Sequence, residues 1–222
     1  MPQSQPVTID VVSDVVCPWC FIGKKRIEKA IALRPGIPVT LRYHGYFLND
    51  WIPRAGIPRE QYLITKFGSV ERYAQIAERV KAAAADEGLV YAPDKISRQP
   101  NTTDCHRLIL WADQFGKAPR MKQRLMDLYF TEGGDLTNSE VLAQAADDIG
   151  LEYAEISRLL ATEDDVDVVT QQAQAAKESG IDGVPCFIFS GVFAVSGAQA
   201  ADYLAGAIER AALEIEKQTA AE

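Results

Sequence analysis

Residues 14–30 read DVVCPWCFIGKKRIEKA, and how the two cysteines in that stretch, Cys17 and Cys20, are understood decides how the rest of the chain is understood. Just before it, Val7–Val12 (VTIDVV) is short and rich in β-branched residues, the mark of a buried strand. Pro18 follows Cys17, and its missing N–H suits the first turn of a helix, where that group would go unbonded anyway. Gly23, Ile27, Ala30 and Ile31 then fall at helical spacing, and Pro35-Gly36 ends the segment. Next, Val39–Tyr43 alternates apolar with polar residues as a strand does. The chain thus opens strand, helix, strand, with Cys-Pro-Trp-Cys at the first strand-to-helix turn.

A cysteine pair can hold a metal, staple a fold or do chemistry. Zinc takes about four ligands, usually as two pairs. Here one pair exists, and Cys105, Cys186, His44 and His106 are isolated along the chain, so no metal is expected. Four cysteines in 222 residues are also too few for a disulfide scaffold. Redox chemistry leads. The thiolate is the nucleophile in disulfide exchange, and the unbonded N–H groups at a helix start favour an anion on Cys17. Cys20, one turn on, can close a small disulfide with it. Trp19 between them can shield the pair or offer a partner an apolar contact. Lys24, Lys25 and Arg26 read as a solvated helix face. Asp14 either modulates thiol protonation or bonds the backbone of the turn, and the sequence leaves both open.

From about residue 59 the period stays helical for more than a hundred residues. Cys105, Leu108, Ile109, Ala112 and Phe115 make one apolar face, and Met121, Leu125, Leu128 and Tyr129 another. Cys105 is therefore expected to be a buried structural thiol. Thr137 with Glu140 has the pattern of a capping box, and Gly150 stops the helix that follows. Short helices are expected near 152–161 and 164–179. Strand signals return at CFIF (186–189), a Ser190-Gly191 turn and VFAV (192–195), where Cys186 reads as strand packing. A last helix carries Ala201, Leu204, Ile208, Ala211 and Ile215 on one face. The fold class is α/β: one sheet-bearing unit interrupted by a helical block, whose sheet elements at the two ends must meet in space.

Composition sets the outer limits. Apolar residues are 47% and charged residues 24%, an ordinary globular profile. A net charge of −8 argues against nucleic-acid or anionic-membrane partners, which require clustered cations. MPQSQPVTID lacks a cationic stretch ahead of an apolar run, and no apolar run reaches the roughly 18 residues of a membrane span. A cytoplasmic location is expected. The sequence says nothing of oligomeric state.

The CPWC motif after a strand, Asn101-Thr102 followed by His106-Arg107-Leu108, Gly183-Val184-Pro185 ahead of a strand, and Ser196-Gly197-Ala198-Gln199 together resemble the DsbA-like thioredoxin-fold proteins, most closely the FrnE type related to 2-hydroxychromene-2-carboxylate isomerases. The resemblance runs from about residue 7 to 210. It implies a thioredoxin fold over 1–48 and 164–222 with an inserted all-helical domain over 49–163. It implies a protein disulfide oxidoreductase without cofactor, acting on a thiol or disulfide substrate, protein or glutathione. By the same resemblance Cys17 is the attacking cysteine and Cys20 the resolving one. Pro185 follows a cis bond facing the motif, leaving the backbone of Val184 free to pair with an extended substrate segment. Asn101, Thr102 and His106 fall together in the family pattern; the resemblance implies Trp19, Val184, Pro185, Asn101 and His106 as the substrate-binding residues, and for His106 tethering the helical block is equally open. The isomerase relatives carry serine at the first motif position, so cysteine at both favours redox chemistry over glutathione-dependent isomerisation of small aromatic or polyketide-like substrates. A redox-inert binding or chaperone-like module is the third possibility.

Overall fold

The computed structural model describes residues 5–221; the first four residues of the N-terminal MPQSQPVTID lie outside it. β1 (Val7–Ser13) leads through α1 (Pro18–Ala32) to β2 (Val39–Gly45), which pairs with β1 in parallel from Val7↔Val39 to Ser13↔Gly45. Parallel neighbours need a long crossover, and α1 provides it. A short antiparallel pair follows, β3 (Ile57–Pro58) and β4 (Arg98–Gln99), holding α2 (Arg59–Phe67) and α3 (Val70–Asp86) between them. Two residues a side give no usable alternation, which is why the sequence did not announce this pair. Then come α4 (Thr103–Asp113), α5 (Ala118–Asp127), a π-helical turn (Leu128–Glu132), α6 (Ser139–Asp147), α7 (Tyr153–Leu160) and α8 (Val166–Glu178). β5 (Cys186–Phe189), β6 (Phe193–Ser196) and α9 (Ala201–Ala221) close the fold.

The two ends of the chain do meet. The main sheet has the order β2-β1-β5-β6, with β5 antiparallel to β1 and β6 antiparallel to β5. At the β5–β6 turn Ser190 and Gly191 both take positive φ, 49° and 70°, which suits the twist of a tight hairpin. β1 is central and covered on both faces. Val7, Ile9 and Val11 pack with Ile27 and Ala30 of α1 and with Leu204 and Ile208 of α9, while Val12 packs on the other side with Tyr46, Ala176 and Cys186. The alternation of VTIDVV is thus used in full, as a strand's two-residue period requires. Among the described residues no helix is long and apolar enough to cross a membrane.

A second and larger core belongs to the helices, and the start of α1 is part of it. Cys17, Cys20, Phe21 and Ile22 pack among Tyr62, Tyr73, Leu108, Met121, Leu125 and Phe130. α1 therefore gives its first turns to the helical core and its later residues to the sheet core. Three expectations need correction here. Phe115 lies past the end of α4 and is 66% exposed, because Asp113 ends the helix before the apolar stripe reaches it. α6 is capped by Asn138, whose Oδ1 accepts from the N–H groups of Glu140 and Val141; Thr137 instead donates to Asp135. Lys24 is buried and ion-paired with Glu28, not solvated, because the helical block covers that side of α1.

Candidate active site

Cys17 is the N-cap residue of α1, with φ −89° and ψ 113°, and Pro18 occupies the first turn as its fixed φ favours. Both cysteines are buried, Cys17 to 4% exposure and Cys20 to 1%, whereas Trp19 between them is 40% exposed. The motif thus presents an apolar ring to solvent above two shielded sulfurs. Cys17 Sγ lies 3.4 Å from the carbonyl oxygen of Val184, and the Val184–Pro185 peptide bond is cis. Pro185 in turn sits on α1 at Gly23, where an added Cβ would lie 2.8 Å from its Cγ. Glycine at position 23 is what lets the 184–185 segment approach the motif so closely.

The two thiols are pushed apart in acidity. Cys17 is held below the ordinary thiol range, chiefly by a hydrogen bond from the Cys20 thiol, with the N–H groups of Cys20 and Trp19 assisting against burial and the Asp14 charge. Cys20 is pushed well above that range by burial first, by its hydrogen bond to Cys17 second and by the Cys17 charge third; the Lys122 ammonium works the other way. Cys17 is thereby the more acidic of the two thiols. The helix-start argument names the same cysteine as the more acidic, but the neighbouring thiol outweighs the backbone N–H groups.

A buried polar layer lies beneath this pair. Lys122 on α5 is almost wholly buried, donates to Ser13 Oγ at the end of β1, and stands over the Tyr43 ring at 5.3 Å. Burial lowers its pKa to about 8, against the pull of Cys20, Asp14 and Cys17. Asp14 is fully buried; its Oδ2 accepts from the N–H of Leu48 at 2.9 Å, so it does bond the local backbone. Its Oδ1 faces His106 Nε2 at 3.4 Å, and neither atom gains a hydrogen bond. His106 is buried against Phe47 at 5.7 Å and against Gly45, where a Cβ would come 3.0 Å from Nδ1. Asn101 is spent on backbone: Nδ2 donates to the Ile52 carbonyl and Oδ1 accepts from the Thr103 N–H. Neither Asn101 nor His106 lines the cavity next to Cys17, whereas Trp19 and Val184 do.

That cavity, of about 280 Å³, runs from Cys17 and Val184 into the helical block and ends among Arg59, Lys66 and a group of tyrosines. Arg59, Lys66 and Lys122 were not singled out in the sequence. Lys122 left a signal, since Lys122, Leu125, Met126 and Tyr129 stand at helical one-face spacing. Arg59 and Lys66 left none, because each occupies an ordinary polar position on an amphipathic helix. Cys105 and Cys186 are buried, free thiols within packed cores, and burial raises the pKa of both. Among the described residues no group of three or more His, Cys, Asp or Glu is placed to hold a metal.

Residues 8–209 match a family model described as DSBA-like thioredoxin domain. The chain is 26% identical over 203 residues to the uncharacterized protein YwbO of Bacillus subtilis (strain 168), covering 91% of this chain and 96% of that one. Its fold is similar to the solved structure of a probable DsbA oxidoreductase from Streptomyces coelicolor, with a TM-score of 0.82 and 30% identity over 92% of this chain and 89% of that one. It is also similar to the cytosolic disulfide reductase DsbM of Pseudomonas aeruginosa, solved with glutathione, at a TM-score of 0.63 and 17% identity over 96% and 98% of the two chains. The thioredoxin fold interrupted by helices, expected from the scattered motifs, is the fold found.

Proposed function

The chain belongs to the DSBA-like thioredoxin domain family, and from that premise we propose that it is a thiol–disulfide oxidoreductase working through the Cys17–Cys20 dithiol. The observation that carries this reading is the placement of two buried cysteines one turn apart at the start of α1, with Cys17 Sγ 3.4 Å from the Val184 carbonyl oxygen; the opposed directions of their acidities support it. In the forward sense the Cys17 thiolate attacks a substrate disulfide, forming a Cys17–substrate bond and releasing one substrate thiolate. Cys20 then gives up its proton and attacks Cys17 Sγ; the internal disulfide forms and the second substrate thiolate leaves. Two electrons pass from the dithiol to the substrate. Trp19 and the backbone of Val184 are the groups that meet the substrate on either side of Cys17. Asn101 and His106 act by holding the turn and the helical block in place.

The division into a thioredoxin part (1–48 and 164–222) and a helical insertion (49–163) belongs to the same proposal, supported by the separate sheet and helical cores. A reducing, cytoplasmic setting suits four cysteines that are all unpaired. Glutathione-dependent isomerisation is the weaker reading, since the attacking position holds cysteine. Insulin reduction driven by dithiothreitol tests the proposal: the protein should accelerate precipitation of the insulin chains, and Cys17→Ser should bring the rate to background. Equal rates for the native protein and Cys17→Ser would remove the oxidoreductase reading.

A further inference from the structure

The cavity beside Cys17 is lined by two cations with no carboxylate in contact, the nearest negative charges on Lys66 being those of Cys17 and Asp14. Arg59 enters it from the first residue of α2, with Nη1 donating to Gln99 Oε1 at 2.6 Å and to Tyr129 OH at 3.3 Å, and Nη2 donating to Tyr73 OH at 2.8 Å. All three partners are neutral, and the guanidinium Nε is buried without any partner. Lys66, two turns along the same helix, donates to the amide oxygen of Asn49 and stands 5.7 Å from the Tyr62 ring centre. Among the described residues no carboxylate oxygen lies within salt-bridge distance of either side chain.

Arg59 is half-buried and Lys66 exposed, so the cost of holding an unpaired charge away from water falls on Arg59. The aromatic rings offset part of that cost, since the guanidinium carbon lies 5.0 Å from the centres of both Tyr62 and Tyr73. Neutral hydroxyls and ring faces leave the net positive charge in place, directed at a cavity whose remaining walls include Phe67, Ile76, Val80 and Phe130. At about 280 Å³ the cavity is at the small end of ligand pockets, which run from roughly 300 to 1,000 Å³. It has room for a group of about one aromatic ring, not for a folded or extended peptide.

We propose that this cavity binds the carboxylate-bearing apolar half of a low-mass disulfide or thiol, with the carboxylate at Arg59 and Lys66 and the sulfur at Cys17. The assignment deepens the oxidoreductase reading by naming a substrate class, and it rests on that reading only for the fate of the sulfur. Cys17 thiolate attacks one sulfur of the acidic disulfide and expels the other half as a thiolate; Cys20, on losing its proton to solvent, displaces the bound half. An added dithiol such as dithiothreitol then reduces the Cys17–Cys20 bond.

Binding can be separated from exchange by using a thioether, which no thiolate displaces. Calorimetric titration of the reduced protein with para-(methylthio)benzoate and with its neutral amide should show the carboxylate bound about tenfold or more tightly, as hydrogen bonds to a buried charge predict. Arg59→Met should abolish that preference and Arg59→Lys restore part of it. Lys66→Met should weaken it in its own right, so the test survives an unfolded Arg59 variant. In turnover with dithiothreitol, the native protein should favour dithiobis(nitrobenzoate) over the uncharged dithiodipyridine beyond their difference in uncatalysed rate, and the Arg59 and Lys66 variants should lose that margin. Equal affinity of the native protein for carboxylate and amide overturns the proposal. So does a carboxylate preference that survives both methionine substitutions. Thioether binding without any disulfide turnover would leave the anion site standing and sink the oxidoreductase reading instead.

Discussion

Cys17 and Cys20 are three residues apart and similarly buried, yet their thiols are driven in opposite directions because each is the other's largest or second-largest influence. The reduced protein should therefore take up one equivalent of iodoacetamide rapidly, at Cys17, with a pH midpoint below the free-thiol value of about 8.5. Mass mapping of the label checks it; rapid labelling of Cys20, or a midpoint above the free value, would contradict the assignment. Cys20→Ala removes both the donor to Cys17 and the resolving thiol, whereas serine would keep an O–H donor. In the alanine variant the Cys17 midpoint should rise toward the free value, and covalent complexes with substrate should persist on non-reducing gels. At this scale the dithiol was legible because its spacing is local: a helix start three residues ahead of a second cysteine is visible in four letters. The cations that line the cavity were not. Arg59 and Lys66 reach Cys17 only through tertiary packing; Lys122, outside that cavity, left only its place on a core stripe as a signal, where a lysine is ordinarily read as an apolar stem with its charge in water.

Single elements place this chemistry, and α1 does most of it by lying against both the 184–185 segment and the helical block. Gly23 has an ordinary helical backbone, so its lack of a side chain matters for closeness alone. Gly23→Ala puts a methyl group 2.8 Å from Pro185 Cγ, a ring atom that cannot swing aside. Overpacking of this kind costs about 1–3 kcal/mol. Urea unfolding should register that loss, and insulin reduction should fall further than stability alone explains, because the Val184 carbonyl is moved off Cys17. An alanine variant with native stability and native turnover would show that the contact positions nothing. At the start of α6, Asn138→Ala should cost about 1 kcal/mol in the same assay, and Thr137→Ala less, because Asn138 supplies the cap. The sequence named the right turn and the wrong residue. Ser, Thr, Asn and Asp all cap helices, and Asp135-Leu136-Thr137-Asn138 offers three of them within four positions. What chose between them was the Thr137 hydroxyl bonding back to Asp135, a loop geometry that spacing does not encode.

Across the whole molecule, sheet core and helical core are joined beneath the active site by one buried cation. Lys122 comes from the helical block, bonds Ser13 at the end of β1, and meets Cys20, Asp14, Cys17 and Lys24 through its charge, with Tyr43 beneath it and His106 lining the same crevice. The sheet itself was legible from two distant strand–turn patterns that had to pair; this junction was not, because it joins residues 109 apart. Its pH dependence follows from burial. The Lys122 pKa is about 8 folded against an ordinary 10.5, so the unfolded chain binds that proton more tightly. The resulting penalty is fully present below pH 8 and is lifted as pH rises from there to about 10.5. Lys122→Met keeps the stem and removes the titration. The lost bond to Ser13 shifts the variant's stability by an amount that does not change with pH. The stability of the native protein relative to the variant should therefore rise with pH across this window, by about 3 kcal/mol. Urea unfolding of the disulfide form, in which neither Cys17 nor Cys20 titrates, isolates the effect. The thiolates raise the Lys122 pKa in the reduced protein, so their removal makes the window no narrower. In the reduced protein the same substitution takes away the cation that opposes the high pKa of Cys20. Attack by Cys17 should keep its rate while the mixed disulfide decays more slowly, with the pH profile of that decay moved upward. A stability difference that stays flat from pH 7 to 11, together with unchanged decay of the mixed disulfide, would reduce Lys122 to a packing residue and leave the two cores coupled by contact alone.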